Sequence, residues 1–201
     1  MLCALVLAQA ASASSIIRDA WSQVSQAKTL SVTLVKTFEE TGKSSTTKFW
    51  FKSGGYFRAE SSSAIDVSNP TQGWTYSISR KVYQSRKPVP ADLSTPQVLG
   101  LDILNKNFPI LGGPTTVTWH NRHALKIELD GRKAMTKETK LFVFFNPKTH
   151  LPIGVSANLG SITQIRLYQD LQVNTDLQDD IFNFSPPKAW KQVTASTGGW
   201  N

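Results

Sequence analysis

A chain of 201 residues with 40% hydrophobic and 18% charged content is long enough to bury a core of its own, which excludes a disordered tail or a low-complexity linker. The net charge of +8, from 22 basic and 14 acidic residues, points to anionic surroundings: a membrane surface, a cell wall or nucleic acid. A single cysteine, Cys3, excludes an internal disulfide framework.

The first residues, MLCALVLAQAASAS, carry no charge, run apolar from Leu2 to Ala8 and reach the small-residue pattern Ala11-Ser12-Ala13. This is the h-region and cleavage site of a secretory signal, here without its usual basic flank. Residues 1–13 are therefore expected to be a signal peptide and 14–201 a single domain, with Ser14 as the first mature residue. The apolar run is too short to span a bilayer. The expectation is a soluble exported protein, periplasmic in an organism with two membranes, and that setting argues against nucleic acid as its partner.

Ser14 and Ser15 are candidate caps for a helix in which Ile16, Ile17, Ala20, Trp21, Val24 and Ala27 share one side. Period two then takes over. Leu30–Thr37, Thr46–Lys52, Tyr56–Glu60, Ile65–Val67, Gly73–Ser77 and Lys81–Ser85 read as strands joined by short polar turns, a meander in one antiparallel sheet or barrel. Between Pro88 and Pro114 the alternation stops. One or two short helices fit there, starting near Ser94 or Thr95, as a lid over the sheet or as a plain cap on the core. Strands resume at Thr115–His120 and His123–Asp130 around an Asn121-Arg122 turn, then Lys140–Asn146, Leu151–Asn158, Ile162–Gln172 and Ile181–Phe184.

The succession of an amphipathic helix, the aromatic strand Phe49-Trp50-Phe51, a Gly turn, Phe57-Arg58-Ala59-Glu60 and Gly73-Trp74-Thr75-Tyr76 is distinctive. It continues with a helical interruption, L-F-V-F-F-N-P-K-T-H-L-P over 141–152, and a closing D-D-I-F-N-F-S-P-P-K over 179–188. It resembles the periplasmic lipoprotein carrier (LolA-like) superfamily over nearly all of the mature chain. The resemblance implies a mainly β (α+β) fold: a strongly curved antiparallel sheet, an unclosed half-barrel, with helices over its concave face. It implies an apolar hollow that shelters acyl chains of a lipid or lipoprotein, and it gives Arg58 the role of latch for the helical lid. The turn Ser53-Gly54-Gly55 departs from the family's common Lys-Pro pair, and Ala59 stands where an aromatic is frequent.

The residues support a hollow independently. A hydrocarbon chain gains about 0.8 kcal/mol per CH₂ removed from water, so a carrier needs an apolar concavity and little else. Both parities of Phe49-Trp50-Phe51 and Phe142-Val143-Phe144-Phe145 are apolar, which implies cover on both faces of the sheet. The expected lining is Trp50, Trp74, Tyr76, Phe142 and Phe144, with Leu99, Ile103 and Leu104 on the lid. The alternative is a two-layer core filled by its own side chains, with function on the surface. For that rival, Arg80, Lys81, Arg86 and Lys87 around the Val82-Tyr83-Gln84 strand form a candidate docking patch for anionic headgroups or an acidic partner.

The remaining constellations point away from catalysis. His120-x-x-His123 lacks a third zinc ligand in sequence reach, and His150 stands apart. Glu39-Glu40 and Asp176, Asp179 and Asp180 fall in turns, where carboxylates solvate the chain. There is no G-x-S-x-G, P-loop or G-x-G-x-x-G pattern. The sequence thus reads as a monomeric binding protein without catalytic residues, metal or cofactor. Its expected partners are acyl chains of a lipid or lipoprotein, and an anionic membrane surface or an envelope protein.

Overall fold

A computed structural model describes residues 11–101, 108–133 and 139–194. Helix α1 (Ala13–Ser25) buries Ala13, Ile16, Ala20 and Val24 at helical spacing. Its cap is Ser12, whose side chain accepts from the Ser15 N–H at 3.2 Å. The cap thus falls two residues before Ser14, because Ala13 already packs in the core and the first free N–H groups follow it. None of the described helices is long and apolar enough to cross a membrane.

The strands are β1 (Thr29–Phe38), β2 (Ser44–Lys52), β3 (Tyr56–Ser61), β4 (Ala64–Ser68), β5 (Gly73–Ser77) and β6 (Val82–Arg86). After helix α2 (Thr95–Leu99) come β7 (Ile110–Trp119), β8 (Arg122–Asp130), β9 (Lys140–Phe145), β10 (Pro152–Asn158), β11 (Thr163–Val173) and β12 (Lys191–Gln192). They form one 12-stranded sheet in the order β12-β6-β5-β4-β3-β2-β1-β11-β10-β9-β8-β7. Neighbours run antiparallel except β12, which lies parallel to β6. The sheet is curved and unclosed, an open half-barrel with β12 and β7 at its edges.

Three boundaries differ from the sequence expectation. Strand β7 starts at Ile110 and runs through Pro114, which an edge strand tolerates because its outer side has no ladder to satisfy. The β7–β8 turn is His120-Asn121, not Asn121-Arg122. Both residues take positive φ (47° and 61°), as a type I′ hairpin requires, and Trp119 pairs with Arg122. Residues 181–184 are no strand. Asp179–Phe182 is a single 3-10 turn within a segment that crosses the sheet.

Register sorts the side chains onto two faces. The helical face carries Leu30, Val32 and Leu34 of β1, Phe49 and Phe51 of β2, Leu141, Val143 and Phe145 of β9, and Tyr168 of β11, all packed with α1 and with Leu99 and Leu101. On β11 one extra residue at Asp170 (φ 53°) bulges the strand between the pairs Ser31↔Gln172 and Thr33↔Gln169. That bulge lets Tyr168, Leu171 and Val173 share one face although their numbers differ in parity. On the opposite face Ala124, Phe144 and Ile153 form a second, smaller core with Trp119, Val117 and Phe142.

Candidate functional site

Helix α2 is a flap tied at both ends. At its start the Ser94 N–H and hydroxyl both donate to Gln97 Oε1 (2.8 and 3.0 Å), one half of a capping box. Thr95, 1% exposed, donates its hydroxyl to the Ala27 carbonyl just past α1 (3.2 Å). At its far end the Tyr168 hydroxyl donates to the Leu99 carbonyl at 3.0 Å. Leu99 and Leu101 are buried against the apolar layer of β1, β2 and β11. Between them Gly100 takes a left-handed backbone (φ 65°), which favours glycine, and a Cβ there would lie 2.6 Å from Arg166 Nη1 and displace the guanidinium.

Of the three expected lid residues, Leu99 ends α2 and is buried against the sheet; Ile103 and Leu104 lie outside the described residues. The five aromatics do not share its face. Phe49 and Phe51 point toward the helices, so Trp50 points away. Phe142 and Phe144 belong to the opposite core, where Trp119 stacks flat on Phe144 with centroids 3.9 Å apart. Trp74 and Tyr76 also face away, beneath a strap formed by residues 176–193.

The strap explains Arg58. Phe182, fully buried, packs on Tyr56 at 5.4 Å, and Phe184 sits among Trp74, Tyr76 and Tyr83 at 5.4, 3.9 and 5.3 Å. Trp190 follows on Tyr76 at 5.7 Å, and the chain then docks beside β6 as β12. Arg58 donates from Nε to Glu60 (2.7 Å) and from Nη1 to the Ile181 carbonyl (2.8 Å). Its partners are therefore the strap and its own strand, and the observed ties of α2 are Thr95 and Tyr168 instead. Lys52 reaches Asp179 at 2.5 Å, which raises the lysine above its ordinary value. Burial under the strap pushes the Tyr76 phenol well up.

The four basic residues do not gather into one patch. Arg80 and Lys81 sit at the turn before β6, whereas Arg86 and Lys87 lie at its other end, about 16 Å away at the usual strand rise. Arg86 also faces Asp66 at 3.8 Å. His150 Nδ1 donates to the Asp19 carboxylate of α1 (3.0 Å), while His120 and His123 stay at the β7–β8 hairpin. Among the described residues no group of three or more His, Cys, Asp or Glu is placed to hold a metal. Backbone amides of Glu40 itself and of Thr163 hold the Glu40 carboxyl below its ordinary value, and Asp176 accepts from Gln178. Two grooves among the described residues are mostly polar: one of about 560 Å³ lined by Ser44, Lys48, Glu60 and Ser61–63, another of about 210 Å³ holding Trp50, Lys48, Asp170 and Gln172.

Sequence reasoning missed Tyr168, Arg166 and Lys36. The signal was present in the pairing of LSVTLVKT with a second amphipathic strand, but the bulge at Asp170 hid which residues of β11 face the helices.

No family model and no curated protein matches the sequence. Solved structures do. An uncharacterized conserved protein from Thermus thermophilus is similar at TM-score 0.56 and 12% identity, over 92% of this chain and 100% of that one. LprF from Mycobacterium bovis is similar at TM-score 0.50 and 9% identity, over 88% and 96%. A LolA superfamily protein, NE2245 from Nitrosomonas europaea, matches more loosely, at TM-score 0.35 and 10% identity over 87% and 99%. What the chain shares with the first two is the fold.

Proposed function

We propose that this chain is an exported, periplasmic, non-catalytic carrier or sensor that shelters an acyl chain of a lipid or lipoprotein between α2 and the helical face of the sheet. The observation that carries the reading is the flap itself: one short helix, hinged at Gly100, seated on an apolar layer and held by two side-chain hydrogen bonds. Lifting it costs roughly 4–9 kcal/mol, from two buried leucines at about 1.5–3 each and two hydrogen bonds at about 0.5–1.5 each. An acyl chain of about 16 carbons gains roughly 13 kcal/mol when sheltered, which exceeds that whole range; a six-carbon chain gains about 5, near its lower end, and has little or no surplus. The site is thus closed when empty and opened by a long chain. Its lining is Leu30, Val32, Phe49, Phe51, Leu99 and Tyr168, in place of the aromatics of the opposite face.

The test is mass spectrometry of organic extracts from the exported protein, beside titration with a fluorescent 16-carbon fatty acid. A stoichiometric acyl species, or saturable uptake, supports the carrier or sensor. An empty protein that takes up nothing refutes it.

A second reading rests on the packing of α1, Leu99, Leu101 and Tyr168, which fill the helical face. On that reading the chain is an envelope signalling or interaction module that meets an anionic membrane surface or an acidic partner through Lys81 and Lys87, both exposed. Neutralising these two lysines abolishes partner binding on that reading and leaves acyl uptake unchanged on the first.

A further inference from the structure

Lys36 of β1 and Arg166 of β11 are directly paired across the sheet, on the helical face, one cross-strand step beyond the pair Leu34↔Tyr168. Like charges in that position repel at a Cβ separation of about 5 Å, so the arrangement is unfavourable unless an anion joins it. Among the described residues no carboxylate does. Lys36 lies over the Phe38 ring at 5.0 Å, and Arg166 donates from Nε to Gln164 at 3.1 Å, a neutral partner. Both cations are half-buried. Arg166 Nη1 reaches the flap's hinge, where Gly100 leaves it room. The pair therefore stands at the rim of the apolar layer, beside the proposed hinge of α2.

From this geometry we infer that Lys36 and Arg166 form an anion site for the head of the sheltered lipid, a carboxylate or a phosphate monoester or diester, with the hydrocarbon lying toward Leu34, Tyr168 and Leu99. The guanidinium offers Nη1 and Nη2 in a planar fork and the ammonium adds a point charge, which together match an oxyanion with two or more free oxygens. The Phe38 ring faces the Lys36 ammonium itself and holds that charge at the site by a cation–π contact. The inference rests on the acyl-carrier reading and names its ligand class.

Three probes of one chain length and one terminal fluorophore separate the possibilities: a 16-carbon carboxylic acid, the matching alkyl phosphate and the matching alcohol. The full chain is expected to bind the anionic probes roughly 10- to 100-fold tighter than the alcohol, as charge-assisted hydrogen bonds to an oxyanion allow. Whichever anion binds tighter tells a free fatty acid from a phospholipid-type head. In the double variant Lys36→Gln, Arg166→Gln the preference is expected to vanish while alcohol binding stays. Equal binding of all three by the unaltered chain, or a preference that survives the double substitution, overturns the anion site and leaves the carrier reading standing. Failure to bind any probe overturns both. The comparison within the unaltered protein needs no variant, so a substitution that hinders folding does not block the test.

Discussion

Replacing Tyr168 by Phe removes one hydroxyl and keeps the ring that packs beneath α2. The loss is the hydrogen bond to the Leu99 carbonyl, at 3.0 Å and in a site where both residues are buried. Net loss of such a bond costs about 0.5–1.5 kcal/mol, and a buried carbonyl left without a donor brings the cost to about 1–3 kcal/mol. Because the bond exists only with the flap down, that energy shifts the flap toward open by about five- to 150-fold. A ligand that binds only the open form then binds tighter by the same factor, as long as the open form stays rare. The closed protein loses the same energy, which lowers the melting temperature by about 2–4 °C for each kcal/mol in a domain of this size. The two readouts thus move in opposite directions: a lower melting temperature with tighter uptake of a fluorescent 16-carbon acid. Tyr168→Phe protein that is less stable and binds the acid equally or more weakly would show that Tyr168 is core and that α2 does not open.

Acyl affinity rises with chain length, from no measurable uptake at six carbons to saturable binding at 16, and a flat series in titrations of fatty acids from six to 18 carbons contradicts the flap balance. Phe182→Ala lowers stability by about 3–5 kcal/mol in denaturant melts through the cavity it leaves under the strap, and acyl affinity stays unchanged because the strap covers the other face. Gly154→Ala is destabilising beyond an ordinary glycine change, since the new Cβ would lie 2.1 Å from Trp119 Cη2 and 2.6 Å from the Arg166 carbonyl; a melt equal to the parent's refutes the packing. Alkaline pH loosens the strap. Lys52 and Tyr76 are both raised in the folded state, so each holds a proton that the unfolded chain has already released, and stability falls as pH rises past the ordinary values near 10; constant stability from pH 9 to 12 refutes this.

Strand after strand was legible because the extended runs from β1 to β6 are short and closed by Gly and Ser turns, so that Gly73–Ser77 is found as expected. The curved, unclosed antiparallel sheet was legible as well, in the order of its aromatic strands. What the alternation left undetermined was which parity faces the helices. In Phe49-Trp50-Phe51 and Phe142-Val143-Phe144-Phe145 both parities are apolar, so no pattern distinguishes hollow from cover. The decision is made by tertiary partners: α1 takes Phe49, Phe51, Val143 and Phe145, whereas Trp119 takes Phe144. Tyr168 escaped for a different reason. The single-residue bulge at Asp170 inverts parity within β11, and nothing but its pairing with β1 marks the inversion. Arg58 owed its latch role to the resemblance alone; in the structure its register neighbours Trp50 and Val67 lie on the strap's face.

The two covers differ in how firmly they hold, and this decides which face can serve a ligand. The strap is fastened by five ring contacts, each worth about 0.5–1.5 kcal/mol beyond its burial, in addition to Phe182, the Arg58–Ile181 bond, the Lys52–Asp179 pair and the β12 ladder on β6. The flap has two leucines and two hydrogen bonds. Both lie on apolar residues of the same sheet, so thermal opening selects the cheaper one. On the carrier reading, the strap therefore seals the face of Trp74 and Tyr76, whereas the other face is covered by α1 together with the short α2, beside which Lys36 and Arg166 stand with no carboxylate partner among the described residues. The aromatics under the strap stabilise the sheet; on the carrier reading the quieter Leu, Val and Tyr168 positions under α2 are the ones available for exchange.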